Sequence, residues 1–341
     1  MDHAAPRAWP SLYSEAANRE TFMLHLIRAV AALFVFAAVP ASAQPYPSKP
    51  ITIVVPFAAG SGTDSITRIV AQYLQNALGQ SVVVENKVGA SGVLAATYVA
   101  RAAPDGYTLL MATNSTHSAN PHLFKKLDYD PVKDFAPVAR LGSYVFMLVV
   151  NKDVPVKTLP ELVTYAKANP GKLTYASGNT TGIVAGETFK HKAGVDILHV
   201  PYKSTPPAIN DVLGGRISMI VIDMAPGIEH VRAGNFRALA VTTKQRSALL
   251  PDLPSLAEAG IEGYDVTSYA ALFAPAGTPK EIVDRLNAEV QKIIANPEAK
   301  ARIAVTGFDA FSGPPASLAA FVQSELVNWG KLIKDAGIEP Q

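Results

Sequence analysis

The chain has 341 residues, enough for two ordinary domains, and with 49% hydrophobic and 17% charged residues it can bury a large core. Thirty basic against 28 acidic residues leave a formal charge of +2, and no basic run gives nucleic acid an electrostatic foothold. The absence of cysteine excludes thiol catalysis, disulfides and thiolate metal sites together, and it suits an oxidising compartment.

Residues 1–22 read as polar sequence upstream of a start at Met23. From there a short basic region ending at Arg28 leads into an apolar stretch over 29–39, then Pro40 and Ala41-Ser42-Ala43. This is the pattern of a signal peptide, with an apolar stretch too short to span a bilayer and an A-x-A cleavage site. The alternative, a buried helix or retained anchor, is opposed by Pro40 and by the polar shift at Gln44. The expectation is cleavage near Ala43-Gln44 and a soluble periplasmic protein, so residues 1–43 are set apart from the fold.

After residue 44 the chain alternates strand, loop and helix. An unbroken β-branched run over 51–55 reads as a buried parallel strand. Ile66, Ile69, Val70, Tyr73, Leu74 and Leu78 then recur at helical spacing and stop at Gly79. Strands follow over 82–84 and 107–111, with a helix ending near Ala103 between them. Such alternation predicts parallel-type sheets flanked by helices. The apolar run 145–150 reads as a crossing into a second lobe. There Thr158-Leu159-Pro160-Glu161 has capping-box spacing, and strands are predicted over 173–176, 197–200, 217–222 and 236–241. The run 266–274 reads as the return crossing, followed by helices over 279–295 and 318–336; the last carries Trp329 and is expected outside the first lobe. The predicted division is 44–143 plus 268–341 for lobe 1 and 144–267 for lobe 2. Two α/β lobes joined by two crossover strands leave a cleft, a preferred place for small ligands.

The loop Phe57-Ala58-Ala59-Gly60-Ser61-Gly62-Thr63-Asp64 joins the first strand to the first helix. Its glycines admit close backbone approach, and the helix start presents unpaired N–H groups that suit an anion. The plain alternative is a βα loop capped by Thr63 or Asp64. A dinucleotide reading of Gly60-x-Gly62 with Glu85 fails, because Ser65 replaces the third glycine and Asp64 would lie near a pyrophosphate. Asn114 and Thr116 follow a predicted strand, and Ser177-Gly178-Asn179-Thr180-Thr181 holds the corresponding place in the second lobe. Each of these is also a usual cap or turn former. Asp223 either caps the next helix or accepts a bond from a ligand amine or hydroxyl. Tyr202 lies just after a strand. No Gly-x-Ser-x-Gly elbow, Walker loop or His-Glu-x-x-His occurs, and His117 and His122 read as loop residues around Pro121. No catalytic residue, metal site or cofactor is expected.

Several segments, in order, carry a resemblance: Pro56 to Asp64, Glu85-Asn86-Lys87-Val88-Gly89-Ala90, Pro104-Asp105-Gly106-Tyr107-Thr108-Leu109, and Leu127-Asp128-Tyr129-Asp130 with Asp134-Phe135. His199-Val200-Pro201-Tyr202-Lys203, Leu239-Ala240-Val241-Thr242 and Ala274-Pro275-Ala276-Gly277-Thr278-Pro279 continue it. From about Tyr46 to its end the chain resembles the Bug family, the extracytoplasmic solute receptors of tripartite tricarboxylate transporters. The resemblance implies a two-lobed type II periplasmic-binding-protein fold. It implies a small carboxylic acid held by the loops 57–64 and 177–181, largely through backbone groups and bridging waters, and delivery to membrane permease subunits by a monomer. One departure is that Ile183-Val184 stand where the family often has His-Leu after a longer loop. A sensory protein binding the same solute, or a periplasmic hydrolase, are the alternative functions.

Overall fold

The computed structural model describes Met1, Met23 and residues 46–248 and 250–340; the predicted signal segment lies outside the described residues. The chain divides into two units, Met1–Pro45 and Tyr46–Gln341, and the architecture below is that of the second.

In chain order the strands are β1 (Ile51–Val55), β2 (Val82–Asn86), β3 (Thr108–Thr113), β4 (Phe135–Tyr144), β5 (Phe146–Asn151), β6 (Thr174–Ser177), β7 (Leu198–Pro201), β8 (Met219–Asp223), β9 (Phe236–Val241), β10 (Ser268–Pro275) and β11 (Phe308–Ala310). They form two sheets, one ordered β11-β4-β10-β3-β1-β2 and the other β7-β6-β8-β5-β9. The strands linked by helices pair in parallel, β1 with β2 and β3, and β6 with β7 and β8. The crossing strands run antiparallel to them. The reason is the direction of entry. β5 begins with Phe146 opposite Asp223, the last residue of β8, and Ala270 of β10 lies opposite Thr113, the last residue of β3. Both crossings therefore enter at the carboxyl ends of the parallel strands, which is where such sheets bind ligands.

The helices are α1 (Gly62–Leu78), α2 (Val93–Ala100), α3 (Asn120–Leu123), α4 (Leu159–Ala168), α5 (Thr180–Ala193), α6 (Thr205–Leu213), α7 (Met224–Arg232), α8 (Lys280–Ala295), α9 (Pro297–Ala304) and α10 (Pro315–Asp335). The predicted alternation is present, with bounds shifted by one to three residues. Successive β1 residues show why a continuous apolar run was needed. Ile53 and Val55 pack with Ile66, Val70 and Leu74 of α1, while Val54 faces Ala95 and Ala96 of α2 and Leu318 of α10. Full burial of each such side chain contributes about 1.5–3 kcal/mol. α1 ends as expected, at Gly79 with φ 68°, a left-handed conformation that glycine adopts without strain.

Four elements were missed, β4, α3, α9 and β11. β4 has no clean alternation because Pro137 and Gly142 interrupt it and two register shifts against β10 leave residues unpaired. α9 and β11 are too short to show periodicity. Between β3 and α3 a π-helical turn, Ser115–Ala119, buries His117 against the rings of Phe135 and Phe273, with centroids 4.7 Å and 4.2 Å away. Burial pushes this imidazole down to about 3, so it is a neutral core residue. α10 packs on the first sheet, where His122 Nε2 meets Leu326 O at 2.8 Å, but it also touches α5 of the second lobe. Among the described residues no helix is long and apolar enough to cross a membrane.

Candidate functional site

Ser61 caps α1, its hydroxyl accepting from Asp64 N at 3.3 Å. The Asp64 carboxylate is turned back into the loop. It accepts from Gly60 N (3.0 Å), Arg68 Nε (2.9 Å) and Asn86 Nδ2 (2.9 Å), and Asn86 also donates to Phe57 O at 2.8 Å. Burial alone would raise this carboxyl, but the bonds from Arg68, Gly60 and Asn86 hold it below its ordinary value. Asp64 thus braces the loop. With Asp64 N capped, the first-turn amides of Gly62 and Thr63 have no intrahelical acceptor and remain directed past the helix start.

The second loop repeats the arrangement. Asn179 caps α5 by accepting from Gly182 N at 2.8 Å, which leaves the first-turn amides of Thr180 and Thr181. Gly178 lies so close to the start of α6 that a Cβ would stand 2.3 Å from Thr205 N. Ser177 Oγ is 2.6 Å from His199 Nε2, and the His199 ring stacks on Tyr175.

The two lobes are closed on one another. Thr181 Oγ1 lies 2.8 Å from Asn114 Nδ2 and 3.0 Å from Asn114 Oδ1, and Ser268 Oγ also donates to Asn114 Oδ1. Thr180 Oγ1 donates to Asn120 Oδ1 at 2.8 Å. Ser204, the residue that precedes α6, makes no capping bond to its own helix; its hydroxyl accepts from Ala58 N across the cleft at 3.1 Å. Gly62 lies against Asp223, where a Cβ would stand 2.0 Å from Oδ1.

Between these contacts lies a cavity of about 10 Å³, room for about one water molecule. Of the sequence-predicted residues, Phe57, Thr63, Asn179, Thr181 and Asp223 line it, and Gly62, Asn114 and Thr180 join the contacts that close over it. Thr113 and Ser115, from the loop 113–117 whose small polar residues pointed to the cleft, line it as well, and so do Tyr144, Phe146 and Ser268, which escaped the sequence reading. Phe146 and Ser268 open the two crossing strands, β5 and β10. A crossing read at 145–150 and 266–274 already places its ends on the cleft floor, so that signal was present in the sequence.

Other predicted residues lie elsewhere. Ala59 and Gly60 are exposed, and the Thr116 hydroxyl bonds the Thr113 backbone. Tyr202 is half-buried with its hydroxyl on Asp211. Ser115 Oγ and Asp223 Oδ1 are buried with no hydrogen-bond partner among the described residues. Burial pushes the Asp223 carboxyl up to about 7. Among the described residues no Lys or Arg lines the cavity. Among the described residues no group of three or more His, Asp or Glu side chains is placed to hold a metal ion. A larger groove of about 520 Å³ opens between α5 and α10, but its wall carries Lys192, Lys331, Glu325 and Asp335 rather than helix starts.

Two sheets, two crossings and two opposed helix starts are the frame of a two-lobed receptor, and the comparisons name which kind. A family model described as the tripartite tricarboxylate transporter family receptor matches residues 66–338. The chain belongs to this family. Protein BugT of Bordetella pertussis is 33% identical over 323 residues, covering 92% of this chain and 99% of its own. A UPF0065 protein from the gbd 5' region of Cupriavidus necator is 40% identical over 282 residues, covering 82% and 85%. Among solved structures, R. palustris Rpa4515 with adipate has TM-score 0.84 at 36% identity, covering 87% of this chain and all of its own. MatC from Rhodopseudomonas palustris with bound malate has TM-score 0.78 at 33% identity, covering 84% and 100%. This receptor therefore has the fold and the class of function, periplasmic solute binding, that its sequence resembles.

Proposed function

We propose that this receptor captures a small carboxylated solute between its lobes in the periplasm and delivers it to membrane permease subunits. The observation that carries the reading is that two helix starts reach one cavity, Thr63 from α1 and Asn179 and Thr181 from α5, with no lysine or arginine among the lining residues. Backbone amides at a helix start hold an anion without a basic side chain. Each charge-assisted bond contributes about 1.5–3 kcal/mol, so three or four reach the roughly −8 kcal/mol of micromolar binding once ordering costs are met. The adipate and malate held by two relatives are acids of this kind.

In this reading lobe 1 comprises residues 44–143 plus 268–341 and lobe 2 residues 144–267, and the protein works as a monomer after cleavage near Ala43-Gln44. It acts as a receptor and not as an enzyme. One feature favours the alternative of a hydrolase, the Ser177–His199 pair at 2.6 Å, but the buried Ser177 does not line the cavity and has no path to a solute there.

Two measurements test the proposal. Native mass spectrometry of protein purified without added solute should reveal a retained acid of low mass. Calorimetry should show binding for members of a carboxylic-acid panel that includes malate and adipate, and none for the matching neutral amides. Amides that bind as well as their acids would overturn the carboxylate reading, and turnover of an ester panel would revive the hydrolase.

A further inference from the structure

Asp223 ends β8 and stands directly before α7, where an aspartate ordinarily caps its helix, yet its side chain makes no capping bond. The carboxyl points across the cleft instead, against the Gly62 backbone and into the cavity. Its Oδ1 is buried and has no hydrogen-bond partner among the described residues.

The charged groups on the elements packed around it leave it without a cation. From α1, Arg68 and Asp64 are paired with each other at 2.9 Å. From β4, Arg140 is turned onto the Phe321 ring, 3.5 Å from its centroid, and Tyr144 is the titratable neighbour; burial raises its hydroxyl far above neutrality, and it donates to Thr63 Oγ1 at 3.3 Å. β5 carries no charged residue, and Asp223 is the only one in β8. On α7 the charged residues are Glu229 and Arg232, paired with each other in its last turn beside His230. A solute carboxylate drawn to the start of α1 would therefore bring a second negative charge into a space that already holds the buried Asp223. Two unpaired charges at such a place cost more than taking up a proton.

Resting on the carboxylate reading above, we propose that Asp223 enters the closed site as a neutral carboxyl group, so that capture of an acid is accompanied by uptake of one proton from solvent onto an Asp223 oxygen. The neutral group then serves as a hydrogen-bond donor in a lining otherwise built of hydroxyl-bearing residues, Asn179 and two phenylalanines. Its preference for the protonated form follows from burial, which moves it from an ordinary 3.8 to about 7. The sign follows: the closed form holds the proton more tightly than the open one, so affinity is highest in acid and falls as pH rises. The fall is about tenfold per pH unit between roughly pH 4.5 and 6.5, levelling above the closed-state value. A bound anion pushes the levelling point higher.

The test is calorimetry with malate and with adipate at about pH 6, in two buffers of different protonation enthalpy, on the wild-type protein and Asp223→Asn. Subtracting the variant removes the solute's own protonation. The expected result is an uptake near one proton per acid bound by wild type, near zero in Asp223→Asn, and a pH profile of affinity that flattens in the variant. Binding by wild type without proton uptake, or an equal uptake in Asp223→Asn, overturns this inference alone. The wild-type proton count stands even where the variant fails to fold. If neither these two acids nor the rest of the panel produces heat with folded protein, the carboxylate reading falls and this inference with it.

Discussion

Gly62 and Asp223 meet across the cleft so closely that a Cβ on the first would stand 2.0 Å from Oδ1 of the second. The absence of a side chain at position 62 is therefore what lets the starts of α1 and α7 approach.

Gly62→Val should block this approach and weaken acid binding about tenfold or more, a loss of roughly 1.4 kcal/mol. Part of that loss should return in the double variant with Asp223→Ala, since the collision is between these two side chains. Calorimetry on the two singles and the double measures the coupling. Normal binding by folded Gly62→Val would show that the lobes do not close in this way.

Asn114 binds Thr181 across the cleft and also accepts from Ser268 at the return crossing, so Asn114→Ala removes an interlobe clasp and strands a buried Thr181 hydroxyl. The expected cost to ligand affinity is about 1–3 kcal/mol, against about 1 kcal/mol for Thr180→Ala, which loses a single hydroxyl bond and keeps its amide. Small-angle scattering should find the acid-saturated Asn114→Ala protein less compact than wild type. Equal affinities in the two variants would remove Asn114 from the closing mechanism.

His117 supplies a pH test of the core. Its folded value near 3 lies below the ordinary 6.5, so the unfolded chain binds a proton that the folded chain refuses. The stability held by the neutral ring is complete above pH 6.5 and is lost as pH falls, amounting to about 2 kcal/mol by pH 5. His117→Gln should be less stable at pH 7 but lose less on acidification. A melting-temperature drop between pH 7 and 5 that is the same in both proteins would mean that His117 does not titrate with unfolding.

Trp329 was expected on the outside of the first lobe, insulated from ligand. It is buried at the wall of the groove between α10 and α5, a groove also lined by Thr188, His191 and Lys192 of the second lobe. Lobe movement therefore alters its surroundings. Adding a bound acid should change the tryptophan emission, and Trp329→Phe should abolish the change. Emission that stays constant at saturating acid would place the hinge motion away from this groove.

The sequence by itself determined the class of the fold and the chemistry of the two loops. A buried parallel strand needs apolar side chains on both faces, so the run 51–55 announced itself, whereas the cap of α1 falls on Ser61 and not on the expected Thr63 or Asp64. The interrupted pairing of β4 hid that strand, because bulges break the period that a linear reading depends on. Only the tertiary structure decided which polar groups meet. Asp64 and Asp223 looked alike as acids at the ends of loops, yet one is satisfied by Arg68, Asn86 and Gly60 while the other is left unpaired against Gly62. The difference lies in how the crossing strands bring the carboxyl ends of β1 and β8 face to face. Burial and partner are properties of that approach, and contacts between residues so distant in sequence leave no periodic trace in it.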